Sequence, residues 1–208
     1  MSGAGMNGDP RRHAPATARN RDAILAVLQH MLPAQGTVLE IASGTGEHAA
    51  WFAPRLSEAL RWQPSDADPS ELAGIDAHAG DSGSDRILPA LHIDVTASKW
   101  PIERADAMFC ANMIHIAPWA AAEGLFAGAA RLLAPGGHLI LYGPFKRHGA
   151  HTAPSNEAFD ADLKARDARW GIRCLDSEVE PLAAAKGFAL AEVAPMPANN
   201  FTVVFRRE

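Results

Sequence analysis

The chain has 208 residues, of which 48% are hydrophobic, 21% charged and 7% aromatic, with a formal net charge of −5. This length suits one domain. The mildly acidic balance argues against a protein that wraps nucleic acid, and no run approaches the roughly 18 apolar residues of a membrane span. Two isolated cysteines, Cys110 and Cys174, are too few for a disulfide framework or a zinc site, so no metal is expected. Residues 1–18, rich in Gly, Ala, Pro and Arg, read as a flexible leader without the apolar run of a secretory signal, and residues 19–208 as a single domain, expected in the cytoplasm. From Asp22, Ile24, Leu25, Leu28, Met31 and Leu32 recur at helical spacing up to Pro33. Thr37–Ala42 then reads as a strand, Glu47–Leu56 as a helix shortened by Pro54, and Leu60–Ser65 as a strand ending at Asp66. Pro69 is placed to open a helix through Leu72 and Ile75, with Asp68 as its cap. Ile87–Ile93 is a third strand weakened by Pro89, and Ala105–Ala111 is a wholly covered fourth. Ala120–Leu133 is helical, Pro135-Gly136-Gly137 stops it, and His138–Tyr142 is a fifth strand.

Alternating strands and helices predict a parallel sheet. Asn156–Asp160 opens a helix with Phe159 and Leu163 on one face, inside a lid-like insertion over residues 148–170. Ser177-Glu178-Val179-Glu180 fits a capping box for the last helix, which stops at Gly187. Ala189–Ala194 and Phe201–Arg206 are joined by a link too short for a crossover helix, so they must pair antiparallel.

The strongest local signal is Glu40-Ile41-Ala42-Ser43-Gly44-Thr45-Gly46, a strand running into a glycine turn that opens a helix. Glycines there let the chain turn sharply and let a ligand approach the main chain. Asp66, 22 residues beyond Gly44 at the end of the next strand, is the place for a carboxylate that accepts hydrogen bonds from ribose hydroxyls. Gly44–Ala49 also fits a dinucleotide fingerprint. Against that stand Glu40 inside the first strand, Asp94 after the third, suited to an adenine amine, and the closing hairpin.

Glu40–Gly46 resembles the first motif of class I S-adenosylmethionine-dependent methyltransferases, with Ala42 in place of the first glycine, and Leu132–Leu141 resembles the signature before their fifth strand. Val38–His48, Trp62–Asp66, Phe109–Ile116, Tyr142–Lys146, Trp170–Arg173 and Met196–Asn200 are similar to the methyltransferase-like 26 family over about Arg19–Arg206. The resemblance implies an α/β, Rossmann-like class I methyltransferase fold: a seven-stranded, mostly parallel sheet with a C-terminal antiparallel hairpin and helices on both faces. It implies S-adenosyl-L-methionine as cofactor, with Glu40, Gly44 and Gly46 on its methionine and ribose side and Asp66 on the ribose. Asp94 and the Val95 backbone would face the adenine, and Asn112 would lie beside the sulfonium and the acceptor. Arg19, in the family's opening pattern Arg19-Asn20-Arg21, would meet the cofactor carboxylate, although Asn20 also reads as a helix cap.

Catalytic candidates are Asn112, His115 and Tyr142. His115 is placed to act as a base or to pack in the turn after the fourth strand, and Tyr142 to lie at the same rim or in the core. Lys146, Arg147, His148 and His151 are placed to line a polar wall or to bind an acidic acceptor, and Trp119 to wall an acceptor pocket. The expected partner is a small-molecule methyl acceptor, with no nucleic acid and no membrane; the sequence does not give the oligomeric state. Two alternatives stay open: a nicotinamide-dependent oxidoreductase, resting on Gly44–Ala49 and Asp66, and a non-catalytic S-adenosylmethionine-binding protein.

Overall fold

The structure is a computed structural model and describes residues 9–208; residues 1–8 of the expected leader lie outside the described residues. The strands are β1 (Gly36–Ile41), β2 (Leu60–Asp66), β3 (Leu91–His92), β4 (Ala105–Ala111), β5 (Leu133–Gly143), β6 (Phe188–Met196) and β7 (Asn200–Arg207). They form one seven-stranded sheet in the order β3-β2-β1-β4-β5-β7-β6. The first five strands run parallel, while β7 pairs antiparallel with both β5 and β6. This is the Rossmann-like class I methyltransferase fold, mostly parallel with a C-terminal antiparallel hairpin.

Strand alternation sorts the core into two layers. Val38, Ala107, Phe109, Ile140 and Val204 face α1 (Pro15–Met31) and α2 (Glu47–Phe52), where they meet Ile24, Leu28 and Phe52. Leu39, Met108, Cys110, Leu141 and Val203 face α4 (Trp119–Leu132) and α6 (Glu180–Ala185), where they meet Leu125, Phe126 and Ala183. With both faces covered, the central strands are mostly apolar, with Glu40 of β1 and Gln63 of β2 as buried polar exceptions. The β3-to-β4 crossover is a loop in which Trp100 packs its indole against the backbone of α4 at Gly128.

Several boundaries differ from expectation. Helix α1 begins at Pro15, inside the expected leader, because proline at the first turn needs no donor and its φ is already helical. Arg19 and Asn20 therefore lie within α1, and Asn20 is not its cap. β3 keeps only Leu91–His92 of the expected Ile87–Ile93, since Pro89 offers no ladder donor; Ile87 makes one isolated bridge to Trp62. Helix α2 ends at Phe52 and continues as a 3-10 turn through Pro54. Helix α3 (Leu72–Asp81) starts three residues beyond Pro69, which stays in the Asp68-capped turn before it. β5 begins at Leu133 and carries the Pro135–Gly137 turn as an irregularity of its register with β4. The expected capping box is absent: Ser177 lies within a π-helical turn, Leu175–Val179, whose cap is Cys174, and Glu178 accepts from the Cys174 N–H at 2.6 Å. Helix α5 (Pro154–Arg166) fills the 148–170 insertion with Leu163 buried and Phe159 exposed, so the two do not share a covered face.

Because the Trp100 ring occupies the place of a side chain at Gly128, Gly128→Ala forces the indole off its seat. The expected loss is about 1–3 kcal/mol, read as a fall in melting temperature of roughly 2–4 °C per kcal/mol for a chain of this size.

Candidate functional site at the carboxyl edge of the sheet

The glycine turn joins the ends of β1 and β2. Ser43 N–H donates to the Ser65 carbonyl at 2.8 Å, Ser65 N–H returns to the Ser43 hydroxyl at 3.2 Å, and the Ser65 hydroxyl donates to the Glu40 carbonyl at 2.7 Å. Asp66 fixes the turn from the other side: Oδ2 accepts from Gly44 N–H at 2.9 Å and Oδ1 from Asp68 N–H at 3.0 Å. The two glycines do different work. A Cβ on Gly44 would meet nothing within 4 Å, so that part of the turn opens outward. A Cβ on Gly46 would sit 2.8 Å from the Ile75 Cα, so Gly46 lets α3 pack on the turn. Ala42, in the place of the motif's first glycine, takes φ +56° in spite of its methyl group.

Beneath the turn lies Glu40, 2% exposed. Its Oε2 accepts from the Trp62 indole N–H at 2.8 Å. Burial pushes its carboxyl up to about 7, against the hydrogen bonds of Trp62 and Ser43, and the nearby Asp66 charge adds to the rise. At the end of β3 the exposed Asp94 uses Oδ1 to accept from the N–H and hydroxyl of Thr96, which hold its carboxyl below the usual range. Val95 is buried, with its carbonyl against Gly124 of α4.

The structure brings Asn112 and His115 together. Asn112, at φ +62°, donates its N–H to the Tyr142 carbonyl at 2.7 Å and accepts from His115 N–H at 2.9 Å. Gly143 separates the two side chains: a Cβ there would lie 2.7 Å from His115 Nε2 and 3.3 Å from Asn112 Oδ1. The His115 ring is fully buried, stands edge-on to Phe145 at 4.8 Å, and accepts from Arg173 N–H at Nδ1, 3.2 Å away. Burial pushes its imidazole down to about 3, and the Arg173 charge works the same way. The Arg173 guanidinium lies over one face of the half-buried Trp119, 5.5 Å from the ring centre.

Tyr142 is not brought to His115. Its ring packs on the other face of the sheet, among residues of α1 and α2, where burial raises its phenol and the neighbouring Asn20 and Arg19 oppose the rise. Asn20 Oδ1 meets His48 Nε2 at 2.9 Å, a buried link between α1 and α2 that the sequence did not reveal. Arg19 is exposed on α1. Among the described residues no group of three His, Cys, Asp or Glu side chains could hold a metal, and no helix is long and apolar enough to cross a membrane.

The fold recurs among solved structures. The chain is similar to the S-adenosylmethionine-dependent methyltransferase SibL (18% identity, TM-score 0.73, covering 92% of this chain and 55% of that one). It is similar to human N-acetylserotonin methyltransferase in complex with SAM (15% identity, TM-score 0.72, 92% and 52%). A third is an O-methyltransferase family protein from Burkholderia thailandensis (18% identity, TM-score 0.71, 90% and 58%). The chain spans just over half the length of each, and the likeness is one of fold. Residues 11–207 match the family described as "Protein of unknown function (DUF938)", and the chain belongs to that family.

Proposed function

We propose that the protein transfers a methyl group from S-adenosylmethionine to a small-molecule acceptor, in keeping with the resemblance to the methyltransferase-like 26 family and with a cytoplasmic setting. The observation that carries this reading is the open turn at Gly44, whose N–H is tied to Asp66 while a buried Glu40 lies beneath. These residues fit the cofactor chemically. Each carboxylate oxygen of Asp66 accepts one N–H and keeps a lone pair for a ribose hydroxyl. Asp94 has Oδ2 left for an adenine amine, with Val95 as the adjacent wall. In this reading Glu40 would meet the α-ammonium and Arg19 the carboxylate of the cofactor.

Bound there, the cofactor supplies an electrophilic methyl on a sulfonium. The chain's part is to align acceptor, methyl and sulfur, which can supply roughly 7–11 kcal/mol. Asn112 borders that line from the end of β4. His115 is a positioning residue in this reading, since its Nδ1 already accepts an N–H and its Nε2 therefore carries the proton. Tyr142 supports α1. A small acceptor suits the elements around the open turn: α1, the loops after β4 and β5, helix α5 and the β6–β7 tip.

Melting curves with S-adenosylhomocysteine and with NAD test the cofactor. At about 100 times its dissociation constant the sulfur nucleoside should add roughly 2.7 kcal/mol of stability. Asp66→Ala should abolish that shift while the protein still melts cooperatively. A shift with NAD and none with the sulfur nucleoside overturns the proposal.

Glu40 sets a pH dependence of opposite sign for the free and bound protein. Its folded pKa is raised, so its contribution to stability is full below about 4.5 and is lost as pH rises through about 7. The change amounts to about 3 kcal/mol. The cofactor ammonium favours the ionised carboxylate, so affinity for S-adenosylhomocysteine should rise over the same interval. Glu40→Gln should flatten both profiles, measured by denaturant melts and calorimetry between pH 5 and pH 8.

A further inference from the structure

Cationic side chains converge beside the loop that carries Asn112. Asp160, on α5, has a side chain 5% exposed. Its Oδ1 accepts from Ile172 N–H at 2.7 Å. Its Oδ2 meets Lys164 Nζ at 2.8 Å, Lys146 Nζ at 3.0 Å and His151 Nε2 at 3.2 Å. Burial works to raise the Asp160 carboxyl, but the hydrogen bonds from Lys164, Ile172 and Lys146 hold it down at about 2.

Two ammoniums and an imidazole thus share one carboxylate oxygen. Each ammonium has three N–H groups and uses one on Asp160, so four point elsewhere. Among the described residues His151 Nδ1 is buried with no hydrogen-bond partner. These groups and the exposed Glu157 line an open surface pocket of about 650 Å³. Two lysines and two carboxylates line it, but only Asp160 is bound by the lysines, which keep free N–H groups, and a buried polar atom without a partner is costly.

The cavity is linked to the candidate site through the backbone. Gly171 packs on Asp160, and its N–H donates to the His115 carbonyl at 2.9 Å. Lys146 N–H donates to the Arg173 carbonyl at 3.0 Å, and Arg173 N–H to His115 Nδ1 at 3.2 Å.

We infer that the cavity lined by Lys146, His151 and Lys164 binds an anionic group, a carboxylate or a phosphate monoester, of the methyl acceptor. That the anion belongs to a methyl acceptor rests on the proposed function. Lys146 and Lys164 meet the negative charge, His151 as an imidazolium donates Nε2–H to Asp160 and Nδ1–H to the anion, and Asp160 holds all three in place. Glu157 repels the ligand from the border.

The test titrates the full-length protein with inorganic phosphate and, separately, with acetate, following the His151 ring resonance, assigned by its loss in His151→Gln. A saturable shift is expected with at least one anion, and the tighter one tells a phosphate ester from a carboxylate. Lys146→Gln should weaken binding about tenfold or more, as loss of a charge-assisted hydrogen bond does. Lys164→Gln should weaken it less, and Glu157→Gln should tighten it. No saturable shift with either anion overturns the inference, as does an equal response in Lys164→Gln and Glu157→Gln. If Lys146→Gln does not fold, that second pair decides alone, since both side chains reach solvent. Binding of S-adenosylhomocysteine separates the two readings. Its loss from the unaltered protein with anion binding intact overturns the methyltransferase reading alone, and the reverse overturns this one alone.

Discussion

A carboxylate buried inside a parallel strand is expensive unless polar partners surround it. Glu40 is that group here, and the carboxyl edge of the sheet is arranged around it. The Trp62 indole comes from β2 to meet it, and the Ser43 turn closes over it. The Ser65 hydroxyl ties the Glu40 carbonyl to the neighbouring strand, and Asp66, one residue on, holds the Gly44 N–H. The turn is therefore held by hydrogen bonds of the chain itself. A cationic group entering above Glu40 would find a carboxyl that burial has left close to neutral and that ionises as the cation arrives.

The rest of the edge is built by fastening loops to each other rather than to the sheet. The segment after α5 supplies Gly171 and Arg173, whose N–H groups hold the His115 carbonyl and ring. The Arg173 guanidinium binds the carbonyls of Ile114 and Ala117, so the loop after β4 is held along its length. On the far side the buried Asn156 of α5 donates to the Asn199 carbonyl at the hairpin tip. Helix α5 is thereby joined to two loops from different ends of the chain. Displacing it would alter the surroundings of Asn112 and of the hairpin together.

Much of this was legible in the sequence, and the reasons are local. β4 matched its expected bounds because six of its seven residues are small or apolar, as in a strand covered on both faces. The hairpin followed from the shortness of Pro195–Asn200. The glycine turn and Asp66 followed from spacing along two adjacent strands. What stayed hidden depends on tertiary neighbours. His115 read as a possible base because nothing local shows that Arg173, 58 positions later, occupies its ring nitrogen. Asn20 read as a cap because its partner His48 is on another helix. Lys146 and His151, in the loop after β5, already read as a polar wall for an acidic acceptor, and Lys164 lies one helical turn from Asp160; what the sequence did not show is that Asp160 draws all three onto one oxygen.

The distribution of backbone strain bears on the proposed site. Among the described residues, the non-glycine positions with positive φ are Ala42, Asn112, His148, Ala198 and Asn199. All lie in turns beyond the carboxyl ends of β1, β4 and β5 or at the β6–β7 tip that pairs beside them. Left-handed backbone at such residues costs on the order of 1–3 kcal/mol and persists only where neighbours over-determine it. They do so here: Asn112 N–H is held by the Tyr142 carbonyl, His148 N–H by Asp176 at 2.6 Å, and the Asn199 carbonyl by Asn156. The opposite edge shows positive φ only at glycines such as Gly36 and Gly136, where no such cost arises. A chain that needed merely to close its sheet could have used glycine at both edges. This one holds side chains in strained turns on the single edge where the glycine turn, Asn112 and the cationic cavity meet.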